Sequence, residues 1–121
     1  MATNYKAIAK KLKFEGRAFI NGKYVNAIDG KKFETINPAT GEKLCTVAKC
    51  NHKDVDLAVK VSRKAFNSGV WSRCPPEYRK EVLLKLAELL RKHGDENSVL
   101  ECIDTGKLVT DCINEVANDA P

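Results

Sequence analysis

The chain has 121 residues, of which 43% are hydrophobic and 31% charged, with a formal net charge of +5 and five cysteines. This length allows one modest domain, and the apolar fraction is too high for a wholly disordered protein. No uninterrupted apolar stretch approaches the roughly 20 residues of a membrane-spanning helix, and an odd cysteine count without dense spacing argues against a secreted disulfide scaffold. We therefore expect a soluble, globular, intracellular polypeptide.

Positive charge is concentrated near the N-terminus. Residues 1–32 carry eight basic and two acidic side chains, a net charge of +6, whereas the other residues carry 13 basic and 14 acidic side chains, a net of −1. A nucleic-acid surface is expected to combine basic residues with exposed aromatic ones or with a known reading helix, and neither feature is evident in this segment. We expect a solvated basic helix, with no nucleic-acid or membrane partner. A nucleic-acid binder acting through this helix stays as the third alternative.

The first predicted element is a helix over residues 3–13, capped by Thr3 or Asn4 and ended by Gly16. Two β-prone runs follow within residues 17–25, and Asn21-Gly22 joins them. Asn-Gly favours the two positive φ angles of a type I′ turn, so this segment predicts a β-hairpin.

A second strand pair is predicted beyond the hairpin. Residues 32–36 and 43–47 alternate between apolar and polar side chains, and Asn37-Pro38-Ala39-Thr40-Gly41 forms the turn between them. The N-terminal helix therefore leads into a strand-rich section.

After residue 50 the apolar period changes from two to 3.6, which predicts four helices. The first begins after an Asn51 cap, has Asp54 at its third position and ends at Gly69. Its predicted buried face consists of Val55, Ala58, Val59, Ser62, Ala65 and Phe66.

The second of these helices covers residues 76–92, since the pair Pro75-Pro76 suits a helix start, and it ends at His93-Gly94. Trp71, before it, is expected to be a packing anchor. The expected buried stripe is Val82, Leu83, Leu86, Leu89 and Leu90. Two shorter helices follow: residues 95–104 with Val99, Leu100 and Ile103 inward, and residues 108–118 with Val109, Cys112, Ile113 and Val116.

Two kinds of local site receive little support from the residues. The glycines form no Gly-x-Gly, so neither a dinucleotide fingerprint nor a phosphate loop is present in the sequence. Cys45, Cys50 and His52 suggest a metal site, but Cys45 falls in a strand and a fourth ligand at suitable spacing is missing. A strand followed by a helix start is the favoured interpretation of these three residues.

The cysteines do not indicate a nucleophile. Cys102 and Cys112 lie on apolar helix faces, where a thiol acts as a small hydrophobe, and we expect Cys74 to be the most exposed. His52 and His93 both fall at helix ends, so no Cys–His dyad is predicted.

The string Asp104-Thr105-Gly106-Lys107 begins at the end of the predicted helix 95–104 and separates it from the next one. A helix C-terminus, with Gly106 in the left-handed conformation and Lys107 at the negative end of the helix dipole, is favoured over a functional motif. From composition and spacing alone, the chain is an α+β piece without a self-contained active site.

Several strings resemble the beginning of the NAD(P)-dependent aldehyde dehydrogenases. The resemblance rests on Phe19–Val25 (FINGKYV), Phe33–Glu42 (FETINPATGE), Asp54–Lys60 (DVDLAVK), Ala65-Phe66, Trp71, Arg79, Leu83–Ala87 and Leu100–Lys107 (LECIDTGK), in the family's order. It covers about residues 17–121. It implies an α/β fold, the N-terminal part of the family's cofactor-binding domain, with residues 1–16 as a basic N-terminal helix. The connection 66–72 resembles members acting on amino- or betaine-type aldehydes.

The resemblance also implies what the parent enzyme does. The parent oxidises an aldehyde to a carboxylic acid with NAD or NADP, through a thiohemiacetal. The family's cofactor glycine motif, its Glu-Leu-Gly-Gly-Lys segment and its Gly-Gln-x-Cys nucleophile have no counterpart in this sequence. We therefore expect the chain to be a truncated N-terminal portion that is inactive and binds no cofactor alone. It should contain no catalytic and no cofactor-binding residue, and a small aldehyde should be a substrate of the parent only.

Two further expectations concern partners and location. We expect the chain to be cytoplasmic and to self-associate, because strands 18–25 and 32–47 lack neighbours and apolar side chains such as Phe66, Leu86 and Leu90 lose cover. The alternative to a dehydrogenase portion is a stand-alone interaction module without catalysis.

One site is implied by the resemblance. Many members bind a monovalent cation through backbone carbonyls of the Thr-x-Asn-Pro segment and the aspartate of the Asp-Thr/Asn-Gly-Lys segment. Thr35, Ile36 and Asp104 match those positions, and oxygen ligands suit a hard cation.

Overall fold

The computed structural model describes residues 3–119, with side chains described as far as residue 115. The element order is α1 (Tyr5–Ala9), β1 (Ala18–Ile20), β2 (Lys23–Val25), β3 (Lys32–Ile36), β4 (Lys43–Ala48), α2 (His52–Ser68), α3 (Pro76–Lys92), α4 (Gly94–Thr105) and α5 (Val109–Asp119). Strands β1 and β2 form one antiparallel pair, and β3 and β4 form another. The predicted α/β architecture, a helix followed by two strand pairs and four helices, is confirmed.

The described chain divides into two compact units. The first contains the residues up to Phe14, Ile36–Leu44 and the residues from Glu81 onward, and the second contains Glu15–Thr35 and Cys45–Lys80. No helix in the described range has the length and apolar content needed to cross a bilayer.

The predicted hairpin is confirmed in the second unit. Asn21 and Gly22 have φ angles of 54° and 74°, as a type I′ turn requires. Across the strands, the rings of Phe19 and Tyr24 meet edge to face with centroids 5.1 Å apart. Both rings are more than half exposed, so the pair lies on the surface.

Helix α1 is shorter than predicted. It begins at the predicted cap, where Asn4 Oδ1 accepts a hydrogen bond from Ala7 N (3.0 Å), but it ends at Ala9. Beyond Ala9 the chain forms a tighter turn of the 3₁₀ type, in which Lys11 N donates a hydrogen bond to Ile8 O, three residues back (2.9 Å). The basic residues after Ala9 provide no apolar face, so the part of the helix that packs on α4 is the part that persists.

Gly16 has a role other than ending α1. It lies against β4, where its carbonyl accepts from Ala48 N (2.7 Å) and where a side chain would overlap the Thr46 carbonyl. Glycine therefore permits the close approach of two backbone segments in the second unit.

Helix α2 begins as predicted but buries a different face. The buried or half-buried positions are Asp54, Ala58 and Val61, and α2 contacts β1. Of the predicted face, Ala58 is half-buried, whereas Val55, Val59, Ser62, Ala65 and Phe66 are exposed. The predicted face is apolar, but no described element of the second unit covers it.

The C-terminus of α2 is closed by its own connection. The helix ends at Gly69 as predicted, and Gly69 adopts the left-handed conformation (φ 80°). Ser72 Oγ donates to Phe66 O (2.7 Å), and Arg73 Nη2 donates to Asn67 O (2.8 Å). Trp71 packs edge to face on Tyr78 at 6.5 Å but is 44% exposed, so it is a partial packing anchor.

The bounds of α3 match the prediction, whereas its burial does not. The five predicted stripe residues, which we call the α3 leucine stripe, are 37% to 57% exposed: Val82, Leu83, Leu86, Leu89 and Leu90. The one buried residue among the described positions of α3 is Ala87, at 5%. A helical period predicts which face is apolar, but not whether another element covers it.

The core of the first unit lies where α4 packs on α1 and α5. Val99 is 3% exposed and Cys112 is fully buried, and Ile103 is half-buried, as predicted. Leu100 was expected to point inward and is 42% exposed, because Val99 occupies the buried side of this turn. Val116 lies outside the described side chains.

Candidate functional site

The turn between α4 and α5 contains the string Asp104–Lys107. Gly106 has the predicted left-handed conformation (φ 78°), and its N–H donates to Cys102 O at 2.9 Å. Thr105 Oγ1 donates to Glu101 O (2.8 Å) and accepts from Lys107 N (3.4 Å). The helix-end interpretation of this string is therefore confirmed.

Lys107 links the two helices that flank the turn. Its Nζ lies 2.8 Å from Glu101 Oε1 on α4 and 2.6 Å from Glu115 Oε2 on α5. These two carboxylates, Glu101 first, raise the pKa of Lys107 above its ordinary value. The predicted partner was the helix dipole, whereas the structure shows two exposed ion pairs that link α4 and α5.

The turn between β3 and β4 meets the same region of the first unit. Asn37 organises this turn, since its N–H donates to Glu42 O (2.9 Å) and its Oδ1 accepts from Ala39 N (2.9 Å). A Cβ on Gly106 would lie 2.9 Å from Pro38 Cγ, so the proline ring packs directly on the α4–α5 turn. Any side chain at Gly106 would push the two turns apart.

Two of the three predicted cation ligands lie in these segments. Ile36 is the last residue of β3, two positions before Pro38, and Asp104 is the next-to-last residue of α4, two positions before Gly106. Thr35 is half-buried in β3 and belongs to the second unit. Backbone carbonyls and a carboxylate are the oxygen donors that a hard cation takes, so the donor types fit the expected ion.

Among the described side chains, which end at residue 115, no cluster of three or more histidine, cysteine, aspartate or glutamate residues is arranged to hold a metal ion. Cys45 lies in β4, while Cys50 and His52 lie at the start of α2, as the strand-and-helix interpretation expects.

The five thiols are free and differ in exposure. Cys50 is the exposed one, so the expectation that Cys74 would be most exposed is wrong. Cys74 is half-buried, and its Sγ donates a hydrogen bond to the Trp71 carbonyl at 3.0 Å. Burial raises the pKa of Cys112, which keeps its thiol protonated and unreactive.

Sequence reasoning missed a feature at the other end of α4. Ser98 is 1% exposed, and its Oγ has no hydrogen-bond partner. It lines a cavity of about 700 Å³ where α3 gives way to α4. A serine inside a helical period gives no sequence indication that its hydroxyl will be buried and unpaired.

The described residues offer no cradle for a dinucleotide. The positive-φ glycines are Gly22, Gly30, Gly41, Gly69 and Gly106, each in a separate turn or helix end. A pyrophosphate cradle needs several glycines in one loop before a helix, so these positions do not fit the cofactor.

Comparison with known proteins supports the resemblance. The profile of the aldehyde dehydrogenase family matches residues 24–120. Aldehyde dehydrogenase 1 of Tanacetum cinerariifolium is 51% identical over 104 residues, which are 86% of this chain and 21% of that protein. Aminoacetaldehyde dehydrogenase of Pseudomonas aeruginosa is 46% identical over 108 residues, 89% of this chain and 22% of that protein.

A solved structure agrees in fold. A variant of the indole-3-acetaldehyde dehydrogenase AldA of P. syringae, in complex with NAD+ and IAA, superposes with a TM-score of 0.92 at 39% identity. The superposition covers 96% of this chain and 24% of that one. The chain belongs to the aldehyde dehydrogenase family. It spans about a fifth of the length of the curated relatives that it matches.

Proposed function

We propose that this chain is the N-terminal portion of the cofactor-binding domain of an aldehyde dehydrogenase whose parent oxidises an aldehyde to a carboxylic acid with NAD or NADP. The observation that carries the proposal is the TM-score of 0.92 over 96% of this chain and only 24% of a solved dehydrogenase. That neighbour was solved with NAD+, which supports the cofactor of the parent.

The chain alone is inactive under this proposal and binds no cofactor. Thiohemiacetal formation needs an activated thiolate, and hydride transfer needs the cofactor ring held against that intermediate. Here Cys112 is buried with a raised pKa, and the positive-φ glycines are scattered over separate turns. We assign no catalytic and no cofactor-binding residue to the chain.

The parent's substrate class is an amino-type aldehyde. The connection Phe66–Ser72 carries this proposal together with the 46% identity to a dehydrogenase named for aminoacetaldehyde. We place the protein in the cytoplasm, with no nucleic-acid or membrane partner.

The first experiment compares the chain alone with a chimera. Residues 17–121 replace the matching segment of the P. aeruginosa aminoacetaldehyde dehydrogenase, and NADH formation is followed at 340 nm. We expect aminoacetaldehyde-dependent NADH from the chimera and none from the chain alone. A folded but inactive chimera contradicts the proposal, as does activity of the chain alone that is lost when one of its cysteines is changed to serine.

The same proposal includes the cation site. The carbonyls of Thr35 and Ile36 and the Asp104 carboxylate are the ligands, and the packing of Pro38 on Gly106 supports the placement of Ile36 and Asp104. In the chimera, Asp104→Asn should weaken stabilisation by Na+ or K+ relative to choline, measured as the unfolding temperature. Asp111→Asn, in the first turn of α5, is the control. An unchanged cation response in the Asp104 variant contradicts the site.

The α3 leucine stripe favours a second candidate function, an interaction module that self-associates. Its five side chains are exposed and adjacent at helical spacing, and such patches promote association. Sedimentation velocity should show oligomers that Leu83→Gln with Leu86→Gln reduces, while Lys85→Gln on the same helix has no effect. A monomer at high concentration contradicts this candidate.

A further inference from the structure

A cavity of about 590 Å³ lies between α1 and α4 in the first unit. Small-molecule sites commonly have volumes of about 300–1,000 Å³ and mostly apolar walls. Apart from Val99, which is 3% exposed, the apolar side chains that line this cavity are half-buried, so an occupant can reach them. They are Tyr5, Ala9, Cys102, Ile103 and Val109.

One charged residue is among the described residues that line the cavity. Lys6 of α1 is exposed, and no ion pair between described side chains involves it. Thr3 and Asn4, both exposed, add uncharged polar groups. The lining therefore combines apolar surface with a single positive charge and no carboxylate.

The neighbouring residues add positive rather than negative charge. Residues 3–14 contain four lysines and no acidic residue. On α4, Glu101 is paired with Lys107 at 2.8 Å, and Asp104, which is exposed, does not line the cavity. The local potential therefore attracts an anion, and because exposed side chains produce it, added salt should weaken the attraction.

These features favour one class of ligand. The lysines would repel an alkylammonium ion, and a phosphate or a dicarboxylate would place further charge against apolar walls, which costs desolvation free energy. A molecule with an alkyl chain and one carboxylate suits both parts of the cavity. Its chain is removed from water by the apolar side chains, while its carboxylate stays on the exposed side, next to Lys6.

We propose that this cavity binds a free aliphatic monocarboxylate of about six to ten carbons, the length that a site of this volume encloses. The alkyl chain contacts Ile103 and Val109, and the carboxylate forms an ion pair with Lys6. This site is separate from the cation site and does not depend on the parent's activity.

The test is an NMR titration of the full chain with octanoate, at constant ionic strength and below the concentration at which micelles form. The methyl signals of Ile103 and Val109 report binding. Each methylene removed from water changes the affinity about fourfold, so octanoate should bind about tenfold more tightly than hexanoate. Octylamine, which has the same chain length and the opposite charge, should bind more weakly than octanoate.

A first pair of variants tests the charge. Lys6→Gln should lower the affinity for octanoate about two- to fivefold, as expected for an exposed ion pair, and should leave the affinity for octanol unchanged. Lys10→Gln removes an exposed lysine that does not line the cavity, and it should change the octanoate affinity less.

A second pair tests the apolar interior. Ala9→Leu fills part of the cavity and should weaken octanoate binding at least about tenfold, since the alkyl chain loses its place. Ala7→Leu adds the same side chain at a half-buried position of α1 that does not line the cavity, and it should bind as the wild type does. The unfolding temperature of each variant shows whether it is folded.

The proposal is overturned if octanoate does not shift the Ile103 and Val109 methyl signals, or if octylamine binds as tightly as octanoate. It is also overturned if Lys6→Gln weakens octanoate binding no more than Lys10→Gln does, or if a folded Ala9→Leu binds as Ala7→Leu does. Shifts confined to the α3 leucine stripe would show adsorption of alkyl chains to exposed apolar side chains, and they too would overturn it.

Discussion

Replacing Asp54 with alanine should lower the protein's free energy of unfolding by about 3 kcal/mol. Asp54 is 2% exposed, and its carboxylate accepts two backbone hydrogen bonds: Oδ1 from Ile28 N (2.9 Å) and Oδ2 from Asn51 N (2.8 Å). The second bond completes a capping box with the Asn51 side chain, which accepts from Lys53 N at 2.8 Å. The first ties the chain after β2 to the start of α2, across 26 residues.

The magnitude follows from these two bonds. A hydrogen bond to a charged group contributes about 1.5–3 kcal/mol, so two give at most about 6 kcal/mol. Both N–H groups are partly reached by water, and alanine relieves the desolvation of a buried carboxylate, so we expect a loss of about 3 kcal/mol. Domains are typically stable by about 5–15 kcal/mol, so this loss is severe.

The assay is urea unfolding followed by far-UV circular dichroism. With a slope of about 1.5 kcal/mol/M, Asp54→Ala should lower the midpoint by about 2 M. Asp54→Asn keeps one acceptor oxygen, so its midpoint should lie between those of the wild type and Asp54→Ala. Asp56 is exposed on the same helix, and Asp56→Ala should stay within about 0.5 kcal/mol of the wild type. If Asp54→Ala matched the Asp56 variant, the account of a carboxylate that joins two segments would be refuted.

Three further outcomes are expected. Lys107→Met should speed amide hydrogen exchange in α5 relative to the wild type, whereas Lys107→Arg should not. Because the pKa of Lys107 is raised, the stability from its two ion pairs is fully present below the ordinary value of 10.5 and is lost only as pH rises past the raised value. Equal exchange in Lys107→Met and the wild type at neutral pH would count against these ion pairs. Gly106→Ala should lower the unfolding temperature more than Gly41→Ala does. Both glycines have positive φ (78° and 73°), but only a side chain at Gly106 would meet a neighbouring ring, that of Pro38. Equal losses would show that the contact between Gly106 and Pro38 is unimportant. By NMR titration, the pKa of Glu15 should be about 2, because the Arg17 guanidinium donates hydrogen bonds to its carboxylate, and Arg17→Gln should return this pKa towards 4.5. The stability that this pair contributes is therefore present above pH 4.5 and is lost as pH falls to about 2. An unchanged Glu15 titration in the variant would exclude the pair as the cause.

Local signals in the sequence were sufficient where the chemistry is local. The Asn21-Gly22 turn, the Asn51–Asp54 cap, the helix end at Gly69 and the left-handed Gly106 each depend on a few adjacent residues, and all are predicted from the sequence. The backbone geometry of a turn or a cap is decided within one turn of chain, so no knowledge of the fold is needed.

Burial was predicted less well, because it depends on what lies opposite a face. The α2 and α3 faces centred on Val59 and Leu86 are apolar at helical period, yet both are exposed in the described structure. The bond from Ile28 to Asp54 and the unpaired hydroxyl of Ser98 also lay beyond sequence reasoning. Each depends on segments far apart in the chain, and no spacing rule specifies those contacts.

The junction of α3 and α4 limits how this protein can change in length. A single residue, His93, separates Lys92 from Gly94, and Leu89 O accepts from its N–H (3.0 Å). One inserted residue here would either bulge or turn α4 by about 100°, which would rotate Val99 out of the interior. In the turn at Asn37–Gly41, Pro38 packs on Gly106, whereas Ala39 and Thr40 at the tip are exposed. Insertions and deletions should therefore be tolerated at the tip of that turn and should destabilise the protein at His93. The one-residue connection between α3 and α4 thus fixes the length of chain between these helices and the rotation of α4 in the first unit.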